Sequence, residues 1–326
     1  MAASRHIRRV RGRAAGALAV AVLLGLVCAA ALTSAGGAGA AAPGASAADA
    51  RGLDQRAAAR APSGSSSRVG DWQHVLEVVA WQRRQASSLP LVYYFGASAA
   101  RESVISDEAW STDLSAMLHT PVVAWVTASG CQSFADDLRV VEQLPEGHAV
   151  ALITVGIGRF TVTHEPRDVP SNTTRSSPPG EWFQHHYDDR ELLSAARKRS
   201  LARIWLAERG PVFARRFPRR VEELESLITT CLDHGFAVAL VEMPTNHQVL
   251  GASYDEVRSR YQASCAALAA EYDLDYVRFC TKIGLNSDDY HDLSHLLPSG
   301  RAKWQARLSQ EIVARGLLEP LPVDAP

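Results

Sequence analysis

The chain has 326 residues, of which 47% are hydrophobic and 21% charged, and a formal net charge of -1. These are the proportions of an ordinary globular protein with one large domain. Charges so nearly balanced create no global field for a polyanion, so no nucleic-acid partner is expected.

In chain order, residues 1–48 read as a signal peptide or signal anchor. Arg5, Arg8, Arg9, Arg11 and Arg13 precede an uncharged run from Ala14 to Ala48 whose apolar heart is Ala15 to Leu32. A basic segment stays on the cytoplasmic face while such a stretch inserts. The small residues Ala38, Ala40 and Ala42 suit a signal peptidase, and the uncut stretch is nearly long enough to span a bilayer. The expectation is an extracellular or cell-envelope protein, secreted or tethered to the membrane by this segment. Residues 49–68 are rich in Ala, Ser and Arg with little to bury, which predicts a disordered linker before a folded domain over 69–318.

Asp71 reads as the N-cap of a helix running to Gln85, and the apolar run from Pro90 to Phe95 as a doubly covered strand. Strand and helix then alternate. Helices are expected over Asp107–Leu118, Phe134–Leu144, Arg220–His234, Tyr254–Tyr272 and from about Gly300 to Arg315. Strands are expected over Pro121–Val126, His148–Val155, Phe236–Glu242 and Asp275–Phe279. This rhythm predicts an α/β fold: a doubly wound, five-stranded parallel sheet of flavodoxin type, in three layers, with its site at the carboxyl ends of the strands. Residues 161–218 are too long for a turn and form an insertion between the third and fourth strands. The second half of that insertion is helical and rich in Arg. It reads either as a basic lid or as a solvated face, and Trp205 within it as packing.

Four cysteines follow Cys28: Cys131, Cys231, Cys265 and Cys280. Disulfides among them would have three pairings, and buried unpaired thiols are the alternative. No pair has C-x-x-C spacing, so a zinc site is not expected.

Two motifs carry chemistry. Gly96-Ala97-Ser98-Ala99-Ala100-Arg101-Glu102 follows the first strand, where a strand-to-helix turn presents a side chain above the sheet. Asp292-Leu-Ser-His295 stands near the other end of the domain. A serine hydroxyl becomes a useful nucleophile only beside a base oriented by an acid, and these motifs hold all three groups.

In this order they resemble the blocks of the SGNH hydrolase superfamily, the GDSL-like esterases, over about Leu89 to Arg315. The resemblance implies Ser98 as nucleophile, His295 as base and Asp292 as its orienting acid. It also implies an oxyanion hole of Ser98 and Gly130 backbone N–H groups, with no metal and no cofactor. The chain departs from the family twice. Ala97 replaces an aspartate, and the Gly-x-Asn block after the third strand is replaced by Gly156-Ile-Gly158-Arg159-Phe160. The missing oxyanion asparagine leaves Arg159 as its candidate substitute. Gly-x-Ser followed by Arg-Glu is also similar to a divergent branch related to cell-envelope acyl transfer and polysaccharide O-acetylation.

The implied activity is hydrolysis of an ester, such as an O-acetyl group, on a glycan or lipid of the envelope or the extracellular space. An O-acyltransferase with the same triad and a catalytically silent binding protein are the alternatives. Asn246 and His247, at the end of the fourth strand, are candidate substrate contacts. A rival register, Asp288 to His291, overlaps the first. Asp288, Asp289, His291, Asp292 and His295, with His185, His186, Asp188 and Asp189, form the competing candidate metal set.

Overall fold

Strand β1, Leu91–Gly96, is buried over all six residues, as is β3, Ala149–Val155, over all seven. Such continuous apolar runs fit strands covered on both faces. In the computed structural model, which describes residues 70–85, 89–180, 187–279 and 282–318, they lie at the centre of a five-stranded parallel sheet. With β2 (Val123–Ala128), β4 (Ala237–Glu242) and β5 (Asp275–Val277) the order is β2-β1-β3-β4-β5. The expected α/β architecture is therefore present, with its strand-order reversal between β1 and β3. The signal segment and the linker lie outside the described residues. Among the described residues no helix is long and apolar enough to cross a membrane.

Each face of the sheet has its own core. Tyr93, Phe95, Ile153 and Leu240 pack with α1 (Asp71–Gln82), α4 (Phe134–Val141) and α8 (Asp255–Tyr272). Val92, Tyr94, Leu152 and Val241 pack beneath α3 (Asp107–Leu118) and α9 (Pro298–Ala314). Side chains alternate across a strand, so each central strand feeds both cores. Two single-turn helices open directly from strands: α2 (Ser98–Arg101) after β1 and α5 (Ile157–Phe160) after β3.

The segment before β4 departs from expectation. One 39-residue helix, α6 (Ala195–Asp233), runs through Pro211 and Pro218 and includes the stretch expected to begin a separate helix at Arg220. Proline removes a backbone donor and usually stops a helix. Here both prolines are exposed, while the buried Phe213, Phe217, Leu224 and Leu227 keep one stripe on the core. Phe160 anchors that stripe, 5.1 Å from Phe217, and stacks on Tyr261 at 5.8 Å. Trp205 packs against Tyr254, 6.1 Å away. A short helix, α7 (His247–Leu250), follows β4.

Cys231 and Cys265 are free thiols buried in the first core, so neither joins a disulfide. Burial pushes both thiols well above their ordinary range. Cys280 lies outside the described residues.

Candidate active site

Parallel register fixes the first half of the site. Gly96 pairs with Ala128, so the turns that follow β1 and β2 leave the sheet side by side, Ser98 and Gly130 each two residues beyond. Gly96 is required where it stands, because a Cβ there would lie 2.4 Å from both Ala100 Cβ and Thr154 Oγ1. That close approach drops the chain directly from β1 into α2, and Ser98 becomes its first residue.

The second half of the site comes from the loop between β5 and α9. Asp292 caps its own turn, accepting from the backbone N–H groups of Ser294 at 2.9 Å and His295 at 3.0 Å. Its other oxygen accepts from His295 Nδ1 at 2.8 Å, and His295 Nε2 lies 2.9 Å from Ser98 Oγ. The structure thus brings together the three residues singled out from opposite ends of the domain. Donation from Nδ1 to the carboxylate fixes the tautomer and leaves Nε2 to accept from the Ser98 hydroxyl.

One tie holds the two halves in contact and two further supports pin the histidine loop. Arg301, 1% exposed, donates from Nε to the Glu102 carbonyl at 3.0 Å and from Nη2 to Glu102 Oε2 and the Leu296 carbonyl, both at 3.2 Å. It ties the Ser98 turn directly to the histidine loop. Gly300 lets α9 begin against the backbone of Asp289, whose carbonyl a Cβ would approach to 2.4 Å. The second of these supports is Asn246. It is 1% exposed, donates to Ser287 Oγ at 3.1 Å and to the Asp292 carbonyl at 3.3 Å, and also lines a pocket. His247 lies half-buried beside it, 3.1 Å from Thr245 Oγ1, lining a shallow pocket with Gln248, Asn286 and Tyr290.

The electrostatics follow from these contacts. Burial opposes ionisation of Asp292, but the neighbouring His295 and the two backbone donors overcome it and hold the carboxyl well below its ordinary range. Burial likewise opposes a charge on His295. The Asp292 carboxylate more than offsets it, and the imidazole pKa is raised.

Two of the expected oxyanion donors are engaged with other groups. Arg159 is not available as the substitute donor. Its guanidinium is 3% exposed, pairs with Asp137, donates to the Gln132 carbonyl at 2.8 Å and lies 4.4 Å over the Phe134 ring. It braces the β2–α4 connection. The Gly130 N–H, in the turn after β2, donates to Asp71 Oδ2 at 3.0 Å. Asp71 is not the N-cap. Gly70 is, and Asp71 opens α1, accepting as well from Arg101 Nη1. Arg101, 5% exposed, also reaches Glu102 Oε1 at 3.1 Å. Sequence reasoning missed Arg101, although it stands three residues after Ser98, on the same face of one helical turn.

The rival register does not converge on Ser98. His291 Nδ1 donates to the Glu191 carbonyl at 2.7 Å, its ring stacked on Tyr187 with centroids 3.7 Å apart. Of the candidate metal ligands, Asp289 is engaged by Lys303 and Ser299, and His185 and His186 lie outside the described residues. Among the described residues no group of three or more His, Cys, Asp or Glu side chains is arranged to hold a metal ion.

No protein-family model matches the chain, and no curated protein matches it. Solved structures do. A member of the lipolytic G-D-S-L family from Veillonella parvula is 12% identical, with 69% of this chain and 99% of that one covered at a TM-score of 0.43. A GDSL-like lipase from Bacteroides thetaiotaomicron is 12% identical, with coverages of 82% and 97% and a TM-score of 0.38. A carbohydrate acetylesterase family member from Sinorhizobium meliloti is 11% identical, with 71% and 99% covered and a TM-score of 0.38. Likenesses this distant carry no inference about the chemistry of this chain.

Proposed function

We propose that the protein is a serine esterase. The observation that carries this reading is the continuous chain of hydrogen bonds Asp292–His295–Ser98, at 2.8 and 2.9 Å. His295 Nε2 takes the Ser98 proton as Oγ bonds to an ester carbonyl carbon, and the carbonyl π electrons move to its oxygen. When that oxyanion collapses, the alkoxide leaves with the proton from His295, and Ser98 is left acylated. Water, deprotonated by His295, then adds to the acyl carbon, and the acid leaves as the bond to Ser98 Oγ breaks and Oγ takes the proton back from His295. Asp292 holds the ring and balances the imidazolium charge that appears in both half-reactions.

The substrate we propose is an ester, such as an O-acetyl group, on a glycan or lipid of the cell envelope or the extracellular space. The Arg-rich start and the uncharged run from Ala14 to Ala48 support export, with release or tethering by that segment. Incubation with a fluorophosphonate tests the nucleophile. Ser98 should carry the label in intact protein, and Ser98→Ala should lose both label and p-nitrophenyl acetate hydrolysis. Labelling elsewhere, or unchanged turnover in the variant, would refute the assignment.

A further inference from the structure

On this serine-esterase reading, the chain lacks the asparagine its resemblance would supply, Arg159 is committed elsewhere, and Gly130 donates to a carboxylate. Two donors from different elements nevertheless converge on one oxygen. Gly130 N–H and Arg101 Nη1 both point to Asp71 Oδ2. Gly130 comes from the turn after β2, adjacent by register to the turn that carries Ser98. Arg101 closes the single helical turn that Ser98 opens. A negatively charged oxygen held by a backbone amide and a second donor beside the nucleophile is what the tetrahedral intermediate of acyl transfer presents. The Asp71 carboxylate oxygen stands in for that oxyanion.

We infer that Arg101 and the Gly130 N–H form the oxyanion-binding site of this protein, and that Asp71 occupies the site in the resting state as a displaceable internal anion. Arg101 is suited to the part. Burial lowers its pKa from the ordinary arginine value, against which the neighbouring Glu102 carboxylate favours the charged guanidinium; Glu102 also keeps it from being stranded when Asp71 leaves, and is in turn held by Arg301. Asp71 is suited to leaving. It is in the first turn of α1, where Gly70 contributes no side-chain cap. Its side chain can swing away while the helix stays docked: Trp72 lies under the Arg167 guanidinium at 3.9 Å, His74 pairs with Asp107 at 2.8 Å, and Val75, Val78 and Val79 are buried. While Asp71 is in place, its charge repels the oxyanion from both donors.

The test uses purified full-length protein, measuring Ser98 acylation by p-nitrophenyl acetate and inhibition by phenylboronic acid, whose serine adduct places an anionic oxygen in the same site. Asp71→Ala should acylate about tenfold faster or more, and bind the boronate more tightly in proportion. Arg101→Gln should slow acylation by about 10²- to 10³-fold, the usual cost of one oxyanion donor, with KM little changed and boronate affinity lost in parallel. Adding Asp71→Ala to Arg101→Gln should restore little, because the site then lacks one of its two donors.

Thermal melting separates folding from chemistry. If Arg101→Gln does not fold, Asp71→Ala decides alone, and a rate at or below wild type overturns the inference. If fluorophosphonate labels Ser98 but Arg101→Gln acylates as fast as wild type, this inference fails and the serine-esterase reading stands. If Ser98 is labelled in neither wild type nor Asp71→Ala, the esterase reading fails and takes this one with it.

Discussion

The two sides of the site are built to different standards of readiness. On the proton-relay side, Asp292, His295 and Ser98 already stand at hydrogen-bond distance, and Asn246, Arg301 and Gly300 pin the loop that carries two of them. On the oxyanion side, the donors are in place but an internal carboxylate holds them. A relay costs nothing to preassemble, because its resting hydrogen bonds are those it uses in the reaction. An empty pair of convergent donors is expensive to keep buried, since unpaired polar groups lose hydration without compensation. Filling the oxyanion site with an internal carboxylate removes that cost and leaves its removal as a separate step.

The largest break in this comparison is removal of the nucleophile. Ser98→Ala should lower kcat/KM for p-nitrophenyl acetate by about 10³-fold or more, because the hydroxyl beside His295 Nε2 is then gone. Stability should hold, since the hydroxyl's partner is a half-buried imidazole that water can serve. Residual activity within tenfold of wild type would mean that the relay described here is not the one that reacts.

Next in size is the tie between the halves. Arg301→Met leaves Glu102 beside Arg101 but removes its second cation and the link to the Leu296 carbonyl. Breaking one partner of a buried ion pair costs on the order of 3–5 kcal/mol, and urea denaturation should show a loss of that order. A loss under about 1 kcal/mol would mean that the nucleophile turn and the histidine loop are held together by packing alone.

Asn246→Ala should have a smaller effect. It removes one buried donor from the Asp292 carbonyl and the Ser287 hydroxyl, which costs about 1–2 kcal/mol in a urea titration. Its kinetic signature should be a lower kcat at nearly constant KM, the mark of a positioning residue. A rise in KM alone would return Asn246 to the substrate-contact role expected from its place after β4.

What was legible in the sequence divides along the same line. Continuous apolar runs such as Val92 to Phe95 and Val150 to Val155 announce doubly covered strands, and the Asp-x-x-His spacing is a local signal that needs no knowledge of the rest of the chain. The Asp292–His295 pair was therefore readable locally, while its join to Ser98 came only through the family resemblance. The oxyanion side depends on contacts between residues far apart in sequence, Asp71 with Arg101 and with Gly130, and a buried arginine cannot be told by type from a solvated one. Arg159 was placed wrongly for that reason, since nothing in its local sequence reveals Asp137 as its partner. The same limit applies to α6, expected as two helices divided before Arg220, because the aromatic stripe that carries it through Pro211 and Pro218 is anchored by Phe160 and Tyr261 from elsewhere. Asp71 was read as an N-cap from its position alone. The helix starts one residue earlier, and that leaves the carboxylate to reach across to Gly130.

The smallest expected effect is a shift along the pH axis, and it isolates the relay from the oxyanion side. His295 must be neutral at Nε2 to accept the Ser98 proton, so activity falls as pH drops through the imidazole pKa. The Asp292 carboxylate stabilises the imidazolium more than burial disfavours it. The acid limb of kcat/KM should therefore fall at a pH above about 6.5, the ordinary histidine value. Asp292→Asn removes the negative charge and leaves the burial. The limb should then move to lower pH even as the maximal rate drops, because the ring is no longer held in its tautomer. A pH–rate profile of both proteins checks the sign. A limb that stays put or moves upward in the variant would mean that Asp292 does not set the charge on His295, and the hydrogen bond between them would then be positional only.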